Sequence, residues 1–514
     1  MKTTPSDDHA PQPELPRRDF LKTAAITAAG VTIIPRHVLG GVLGQPAPSD
    51  TFNVAGIGVG GMGRQNLINL SSQNIVAVCD VDWDYAGRGF DRLKLPDANL
   101  PKRLAEADDA GKKRIQEGIE RTRVLSEKIP DAKRYTDFRE MLEKQKDIDG
   151  IVVATPDHLH ATIAMAAMQL GKHVYVQKPL TWSVYEARQL AKKAKESPKI
   201  ATQMGNQGHS TDDARLVNEY IWSGTIGDVR EVHIWTNRPL AYWPQGVPRP
   251  APLTAAADTL RWNMNGVMQR LSGAMAGNYP VPSTLNWDLF LGPGPLIDYH
   301  PIYHPFNWRG WTDWGVGALG DMGAHLVDHA FWALDLGYPT TVETVSTPFN
   351  KASFPMATTT YYEFPARGDK PAVKLTWYDG GLLPPKPLEL GDEPLNRDGG
   401  VLYIGSKGKL MHETYGEKPR LLPKSLQDST GKPPEKIARI KTSHEMNWVE
   451  AAQGKAEASS PFEYAARLTE VMLLGIVALR AGAKIHYDAE NMRITSPTAA
   501  NEFLRREYRQ GWSL

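Results

Sequence analysis

The sequence has little cysteine, little net charge and no long apolar segment, and each shortage excludes a class of structure or partner. Its one cysteine, Cys79, allows no disulfide within the chain and is expected to be a small buried residue. With 59 Lys and Arg against 58 Asp and Glu, the formal net charge of +1 provides no basic field for nucleic acid or an anionic membrane. The mildly apolar run Thr23–Ile34 is too short for a stable membrane span. At 514 residues and 41% hydrophobic content, the chain is typical of a globular protein with two or three domains.

The first 45 residues differ from the rest of the chain. Arg17 and Arg18 precede the apolar run, an arrangement that resembles the signal of the twin-arginine (Tat) export route. We therefore assign residues 1–45 to a leader, and predict the Tat export machinery as a partner and the periplasm as the location. Proteins on this route cross the membrane folded, so this one would need no disulfides outside the cytoplasm. A disordered basic leader is the alternative, and no clean A-x-A cleavage site follows the run.

A strand–turn–helix pattern typical of dinucleotide binding begins at residue 52. The apolar strand Phe52–Ile57 runs directly into a G-x-G-x-x-G segment. Gly58 permits a tight turn, Gly60 lets the backbone approach a pyrophosphate, and Gly63 lets the following helix pack closely. The alternative is a glycine-rich turn without a ligand. The predicted cofactor-binding residues of this segment are Gly58, Gly60, Gly61, Met62 and Gly63.

An acidic residue follows the next strand and bears on the choice of cofactor. The strand Ile75–Cys79 ends at Asp80, ~20 residues after the first glycine, where a carboxylate binds a ribose 2′-hydroxyl. Because a carboxylate repels a 2′-phosphate and no Arg or Lys follows immediately, the sequence favours NAD over NADP.

Further apolar strands at 149–156, 172–179 and 199–205 extend this unit. Together they predict an N-terminal Rossmann domain, a doubly wound parallel sheet over residues 50–205, with a charged helical insertion at 95–128. Proline restricts the residue before it to an extended backbone, so Lys178, before Pro179, is expected at the carboxyl edge of the sheet, where such folds bind ligands.

The second half of the chain has a different pattern. Val229–Thr236 alternates in polarity as a half-buried antiparallel strand does, and further strands are predicted at 341–347, 358–364 and 372–377. A helix is predicted within 253–278. The fold class is therefore α/β, with a C-terminal α/β domain over residues 206–490 containing an open, mainly antiparallel sheet, and a tail over residues 491–514.

A predicted helix after Gly317 carries the residues best suited to acid–base chemistry. Asp321, His325 and Asp328 fall at i, i+4 and i+7 and share a face. A His with an Asp one turn away is a minimal general base, because the carboxylate holds the imidazole and stabilises its protonated form. A hydrogen-bonded surface is the alternative. A metal site including His329 is disfavoured, because the H-E-x-x-H order is missing.

Aromatic side chains are concentrated just before this helix. The segments 299–304 and 308–314 combine flat apolar faces with hydrogen-bonding groups, which suits a sugar ring. Trp308 and Arg309 are the substrate candidates here, and ordinary core packing accounts for part of the cluster.

Taken in order, the motifs resemble those of the Gfo/Idh/MocA family of oxidoreductases, named for glucose-fructose oxidoreductase and inositol dehydrogenase. The glycine segment, Thr155-Pro156-Asp157-His158-Leu159-His160, Gln177-Lys178-Pro179 and Asp321-x-x-x-His325 carry the resemblance, which spans residues 50–490. It implies that Lys178, Asp321 and His325 are catalytic residues and that the same three side chains contact the substrate. It also implies Thr155, Pro156, His160, Gln177 and Lys178 as cofactor contacts, and a homo-oligomer, dimer or tetramer. Gln177 stands where the family usually has Glu, which removes a charge beside the nicotinamide.

The resemblance implies an NAD-dependent enzyme that oxidises a secondary hydroxyl of a sugar, glycoside or cyclitol, with a tightly bound, recycled cofactor. Two alternatives stay open. One is a redox-neutral enzyme that cleaves or epimerises glycosides through transient oxidation, although the family's glycosidase branch carries a different motif around its catalytic His. The other is a non-catalytic sugar-binding protein.

Overall fold

The glycine-rich segment follows the central strand of a parallel sheet in the computed structural model, which describes residues 51–253 and 262–514. The strand order is β3-β2-β1-β4-β5-β6, with all neighbours parallel, which is the order of a dinucleotide-binding sheet. The order reverses between β1 and β4, so a crevice forms at the carboxyl ends of these strands. The strands are β1 (Asn53–Ile57), β2 (Asn74–Cys79), β3 (Lys133–Tyr135), β4 (Gly150–Val153), β5 (His173–Val176) and β6 (Thr202–Met204).

Helices cover both faces of this sheet. The region at 95–128 is helical as expected, and its longer helix is exposed, with only Leu125 buried. Cys79 is buried at the end of β2, as predicted for a small core residue. The helices are α1 (Met62–Asn69), α2 (Trp83–Asp91), α3 (Leu100–Glu106), α4 (Asp109–Lys128), α5 (Phe138–Lys144), α6 (Asp157–Gln169), α7 (Val184–Glu196) and α8 (Asp212–Trp222).

A second, mixed sheet of nine strands has the order β13-β12-β11-β7-β10-β9-β8-β14-β15. All its pairs are antiparallel except β7 with β10. The strands are β7 (Val229–Thr236), β8 (Thr341–Ser346), β9 (Thr358–Phe364), β10 (Val373–Tyr378), β11 (Gly399–Gly405), β12 (Lys409–His412), β13 (Arg420–Leu422), β14 (Ile485–Asp488) and β15 (Arg493–Ser496). The remaining helices are α9 (Met264–Met275), α10 (Trp287–Leu291), α11 (Gly317–Leu334), α12 (Lys424–Ser429), α13 (His444–Ala452) and α14 (Phe462–Ala481). The predicted fold class is confirmed.

Close packing of α14 on this sheet fixes the neighbouring helix that carries the site. A Cβ built on Gly475 would lie 2.5 Å from Leu319 of α11 and 2.5 Å from the hydroxyl of Tyr362 on β9. The Thr344 hydroxyl donates to the Gly475 carbonyl at 2.9 Å. A side chain at this position would have to displace both groups, so glycine lets α14 pack closely against α11 and β9.

β7 differs from its sequence-based prediction. It was expected to be half-buried and antiparallel, but it lies inside the sheet, parallel to β10 on one side and antiparallel to β11 on the other. Val232 and Ile234 belong to the main core, whereas Trp235 packs with Leu402 in a second cluster on the opposite face. Both faces are therefore covered, and only the first residues of the strand keep the polar alternation.

The predicted leader at 1–45 lies outside the described residues. The helix expected within 253–278 is described from Met264 to Met275. Residues 491–514, expected to be a tail, contribute β15, which pairs with β14. The domain boundaries stay predictions. Across the two described ranges, no helix combines the length and apolar character needed to cross a membrane.

Candidate active site

One cavity of about 460 Å³ lies at the carboxyl ends of the parallel strands and extends to α11. Its wall has two parts of different chemistry. We call the part formed by Gly58, Gly60, Gly61, Met62 and Asp80 the glycine-rich half, and the part formed by Lys178, Arg238, Arg309, Asp321 and His325 the basic half.

The glycine-rich half is shaped by close backbone contacts. Gly58 has φ +79°, and a Cβ there would lie 2.6 Å from the Ala154 carbonyl oxygen. A Cβ on Gly63 would lie 2.3 Å from the Gly58 carbonyl oxygen, so α1 begins directly against the turn. Gly63 itself does not line the cavity; it acts through this packing. Gly61 and Met62, at the N-terminus of α1, line the cavity, and a helix N-terminus is where this fold binds a pyrophosphate.

Asp80 is buried at the edge of the glycine-rich half. Its Oδ2 accepts a hydrogen bond from the Gly60 N–H, and its Oδ1 accepts one from the Asp82 N–H, each at 3.0 Å. Burial raises the pKa of this carboxyl to about 6, so it is mostly ionised at neutral pH. No Lys or Arg belongs to this half of the lining. These residues fit the ribose and pyrophosphate of a dinucleotide.

A segment of the second half of the chain closes over this edge. The Asn286 N–H donates to the Val81 carbonyl at 2.8 Å, and Leu285 forms an isolated β-bridge with Asp82. The His304 Nε2 lies 2.8 Å from Asp82 Oδ2, and its buried Nδ1 has no hydrogen-bond partner among the described residues. No motif in the sequence indicated this contact.

In the basic half, Lys178 is fixed by Asp321. The Lys178 Nζ donates to Asp321 Oδ1 at 2.6 Å and to the Asp321 carbonyl at 3.0 Å. Burial alone raises the pKa of Asp321, but the charges of Lys178 and Arg309 lower it to about 2. The carboxylate therefore stays ionised and holds the ammonium at the end of β5, as the Lys-Pro signal predicted.

His325 lies one turn beyond Asp321 on α11. Its ring meets Tyr415 edge-on with centroids 4.9 Å apart, and its Nδ1 is buried without a hydrogen-bond partner in the described part of the chain. Burial, followed by the charge of Lys178, lowers its pKa to about 3, so the imidazole is neutral at physiological pH. Here the structure differs from the sequence-based expectation. Asp321 pairs with Lys178 and forms no hydrogen bond with His325, because β5 brings a cation to the carboxylate.

Comparison with known families agrees with this geometry. Residues 102–205 match the model described as "Oxidoreductase family, NAD-binding Rossmann fold", and residues 255–362 match "Oxidoreductase family, C-terminal alpha/beta domain". Both domains of the Gfo/Idh/MocA oxidoreductase family are present in this chain. The predicted resemblance is thereby confirmed.

Individual curated proteins are also similar to this chain. A "Glycosyl hydrolase family 109 protein" of Shewanella pealeana is 28% identical over 236 residues, which are 42% of this chain and 44% of the relative. A protein of that name from Shewanella baltica OS195 is 25% identical over 230 residues, 41% of this chain and 44% of the relative. The matches therefore span less than half the length of these curated relatives.

Two solved structures of the family's fold are also similar. The WlbA dehydrogenase of Bordetella pertussis, in complex with NADH and UDP-GlcNAcA, has a TM-score of 0.51 at 14% identity, covering 85% of this chain and 99% of that one. GenD2 from gentamicin A biosynthesis, in complex with NAD, has a TM-score of 0.50 at 16% identity, covering 85% of this chain and 97% of that one. At these low identities, the similarity shows that this chain shares the fold of the two structures.

Within the family motifs, the structure separates residues that reach the cavity from those that support it. Thr155, Pro156, Gln177 and Trp308 line the cavity. His160 does not, because its ring nitrogens contact the Pro179 carbonyl at 2.8 Å and the Thr155 carbonyl at 2.9 Å. It therefore ties α6 to the segment that carries Lys178.

Gln177, where the family usually has Glu, is held by an amide network. Its Nε2 donates to Asn66 Oδ1 at 3.0 Å, and Asn66 in turn donates to Glu445 Oε1 at 2.8 Å. A glutamate at this position would bring a second carboxylate to this buried network. It would also lack the amide N–H whose hydrogen bond Asn66 accepts.

Asp328 lies outside the cavity although it shares a helix face with Asp321. It accepts hydrogen bonds from Asn206 at 3.0 Å and from the Tyr464 hydroxyl at 2.6 Å, and it contacts His209 at 3.0 Å. Seven residues along a helix span about 10 Å, so the third member of the predicted trio extends past the end of the site. It forms a buried structural network instead.

Sequence reasoning missed several residues that line the cavity in or beside the basic half. Asp157 is buried, accepts a hydrogen bond from the Val316 N–H at 3.2 Å, and has a pKa raised by burial to about 7. It lies within the Thr155–His160 motif, which was the available signal. Arg238 follows β7 and Tyr415 follows β12, and neither belongs to a local motif. In the aromatic cluster, Trp308 lines the cavity, whereas Trp311 and Trp314 are core residues.

Proposed function

We propose that this protein is an NAD-dependent oxidoreductase that moves a hydride between nicotinamide and a secondary hydroxyl or keto carbon of a sugar, glycoside or cyclitol. The observation that carries this proposal is that Lys178, Asp321 and His325 line the same cavity as the glycine-rich turn. Lys178 and Asp321, 143 positions apart in the sequence, are thus brought together where the nicotinamide ring of a bound cofactor would lie.

Side chains of this protein would activate the substrate and accept its proton. When bound, the nicotinamide supplies the hydride acceptor. The Lys178 ammonium, held by Asp321, donates a hydrogen bond to the reacting oxygen of the substrate. The neutral imidazole of His325 accepts the hydroxyl proton as the carbon–oxygen bond becomes a carbonyl. General-base catalysis of this kind contributes roughly 10²- to 10⁴-fold to the rate.

The wall of the basic half suits a carbohydrate. Tyr242, Trp243, Phe306 and Trp308 give the cavity flat apolar faces beside charged donors. Such faces pack against the apolar side of a sugar ring, while donors around the rim bind its hydroxyls.

The cofactor preference rests on Asp80. An ionised carboxylate in a wall segment lined by no Lys or Arg favours NAD over NADP; the guanidinium of Arg64 donates to the Gly60 carbonyl at 2.8 Å from outside this lining. The segment around His304 covers the same edge, which supports slow release and recycling of the nucleotide. Purification without added nucleotide tests this: about one NAD per chain supports recycling, and an empty, rapidly exchanging site contradicts it.

The proposed activity is tested by mixing the purified protein with a panel of sugars and glycosides and following the near-ultraviolet absorbance of reduced nicotinamide. Sugar-dependent reduction supports the oxidoreductase. Sugar binding without any change in the nucleotide supports the non-catalytic sugar-binding alternative.

A redox-neutral glycosidase or epimerase is the second candidate, because the curated relatives are named glycosyl hydrolase family 109 proteins. In this scheme oxidation of the sugar is transient and the hydride returns to it. Glycoside cleavage that stops when the nucleotide is removed supports this candidate. Net accumulation of reduced nicotinamide without cleavage supports the first.

We further propose Tat-dependent export to the periplasm and a homo-oligomer. Export is supported by the Arg17-Arg18 pair, and replacing both by Lys should retain the protein in the cytoplasmic fraction. An oligomer is supported by the exposed apolar side chains Val345 and Tyr361 on the second sheet. Light scattering on the purified protein measures the number of subunits.

A further inference from the structure

Three cationic side chains surround one carboxylate in the basic half. Besides the Lys178 ammonium, the Arg309 Nε lies 3.5 Å from Asp321 Oδ1, and the Arg238 Nε lies 4.0 Å from Oδ2. Among the residues that the structure describes, only Lys178 forms a hydrogen bond with this carboxylate. The two guanidinium groups are therefore close to Asp321 but are not satisfied by it.

Arg238 is the less satisfied of the two arginines. Its guanidinium carries five N–H donors, and within residues 51–253 and 262–514 no group accepts a hydrogen bond from them. The group lies over the Tyr242 ring, and its side chain is 20% exposed to the cavity. A guanidinium in this position needs an acceptor from a ligand or from water.

Arg309 is held in place but keeps free donors. Its Nη1 donates to the Phe306 carbonyl at 3.1 Å, and its guanidinium stacks on the rings of Phe306 and Trp308, 4.2 Å from each centroid. This packing fixes the plane of the group in advance of binding, which reduces the entropy lost when a planar anion binds.

The charges in this part of the cavity do not balance. Lys178, Arg238 and Arg309 face two lining carboxylates, Asp321 and Asp157. The other acids of the cavity wall, Asp80 and Asp137, follow β2 and β3 in the nucleotide-binding sheet. The basic half therefore carries at least one unmatched positive charge where the sugar would bind.

We propose that the substrate is a sugar with an anionic substituent, a carboxylate of the uronic acid type or a sulfate ester, bound by Arg238 and Arg309. This inference rests on the proposed sugar oxidoreductase function. Carboxylates and sulfates accept paired hydrogen bonds from guanidinium groups, which are stronger than those of neutral hydroxyls. A neutral sugar would leave the excess charge unmatched.

The test compares matched sugars that differ only in the charged group. The purified full-length protein, with its nucleotide content measured, is titrated calorimetrically with the methyl glycosides of glucose, galactose and mannose. Each is compared with the corresponding uronate and 6-sulfate. We expect at least one anionic sugar to bind about 10- to 100-fold tighter than its neutral partner. The preferred member of each set distinguishes carboxylate from sulfate. Equal affinities within every set would overturn the inference.

Variants at Arg238 assign the preference to this site. Arg238→Gln should bring the ratio of anionic to neutral affinity toward one, whereas Arg238→Lys, which keeps the charge but loses the paired donors, should keep part of it. The matched control is Arg230→Gln, at the start of the same strand, where the arginine is 66% exposed and pairs with Asp228. An unchanged ratio in a folded Arg238→Gln protein would also overturn the inference.

Nucleotide reduction separates this inference from the proposed function. Reduction by neutral sugars with no anionic preference would leave the oxidoreductase standing and overturn the charge assignment. Tight binding of an anionic sugar without reduction would support the charge assignment and count against the oxidoreductase.

Discussion

The two halves of the cavity are built in opposite ways. The glycine-rich half comes from one continuous stretch between Gly58 and Asp80, and it acts through backbone N–H groups and the absence of side chains. The basic half comes from segments as far apart as Lys178 and Tyr415, and it acts through side-chain charge. The first half is therefore sensitive to added volume and the second to lost charge. This contrast predicts which substitutions abolish chemistry and which abolish nucleotide binding.

The largest expected effect is a loss of turnover when residues of the basic half are replaced, without a loss of nucleotide binding. Lys178→Ala and His325→Ala should each lower kcat by roughly 10²- to 10⁴-fold, because they remove the donor to the reacting oxygen and the proton acceptor. Nucleotide affinity, measured by calorimetry, should change little. The controls are Lys193→Ala and His486→Ala, two replacements outside the cavity lining. Near-normal turnover in either active-site variant would remove the assigned roles.

The converse substitution adds volume to the glycine-rich half. Gly58→Ala places a Cβ 2.6 Å from the Ala154 carbonyl in a backbone with φ +79°, a strain of about 1–3 kcal/mol. We expect weaker nucleotide binding, by about 10- to 100-fold, and a lower Tm.

Gly118→Ala, within α4, is the matched control, since nothing lies within 4 Å of its added Cβ and alanine favours a helix. This variant should be as stable as the parent or slightly more so. Normal nucleotide affinity in Gly58→Ala would mean that the turn is not the binding surface.

The same contrast explains what the sequence could predict. The strand expected at 52–57 is observed at Asn53–Ile57, and the helix expected after Gly317 is observed at Gly317–Leu334. In both cases the signal is local: an apolar run, a glycine pattern or a helical period. Lys178 was also placed correctly, because proline fixes the backbone next to it.

The basic half could be predicted only in part, because its geometry depends on pairing between distant strands. Arg238 reaches the cavity because β7 pairs with β11, more than 160 residues later in the chain, and β11 was not predicted at all. The Asp321 partner was misassigned for the same reason. The spacing along α11 indicated His325 as the partner of Asp321. In the structure β5, which is distant in sequence, brings Lys178 to Asp321, and the carboxylate accepts a hydrogen bond from this ammonium instead.

A smaller effect should appear in the pH dependence of the basic half. The pKa of Asp157 is raised to about 7 by burial, although Arg309 and Lys178 oppose the shift, and Asp321 raises it further. Below pH 7 the carboxyl is neutral. Above pH 7 it is charged and cancels part of the positive charge of the cavity.

For an anionic sugar, the affinity should therefore fall by up to about tenfold as the pH rises through 7. Asp157→Asn should remove this step, and a neutral sugar should show little of it. Asp321 and His325, with pKa values of about 2 and 3, do not titrate in this range. A step that persists unchanged in Asp157→Asn would assign it to another group.

The smallest effect concerns the edge where the second half of the chain covers the glycine-rich half. His304→Ala removes the contact between His304 and Asp82 but leaves the glycine turn and Asp80 intact. One hydrogen bond of this kind is worth about 0.5–1.5 kcal/mol, so nucleotide should dissociate roughly 2- to 10-fold faster in stopped-flow exchange. The chemical step should be unaffected once nucleotide is saturating, since His304 contacts Asp82 and not Lys178 or His325. His486→Ala again serves as control. A lower kcat at saturating nucleotide, with an unchanged rate of nucleotide release, would mean that His304 takes part in the chemical step. The two halves of the cavity would then not have separate roles.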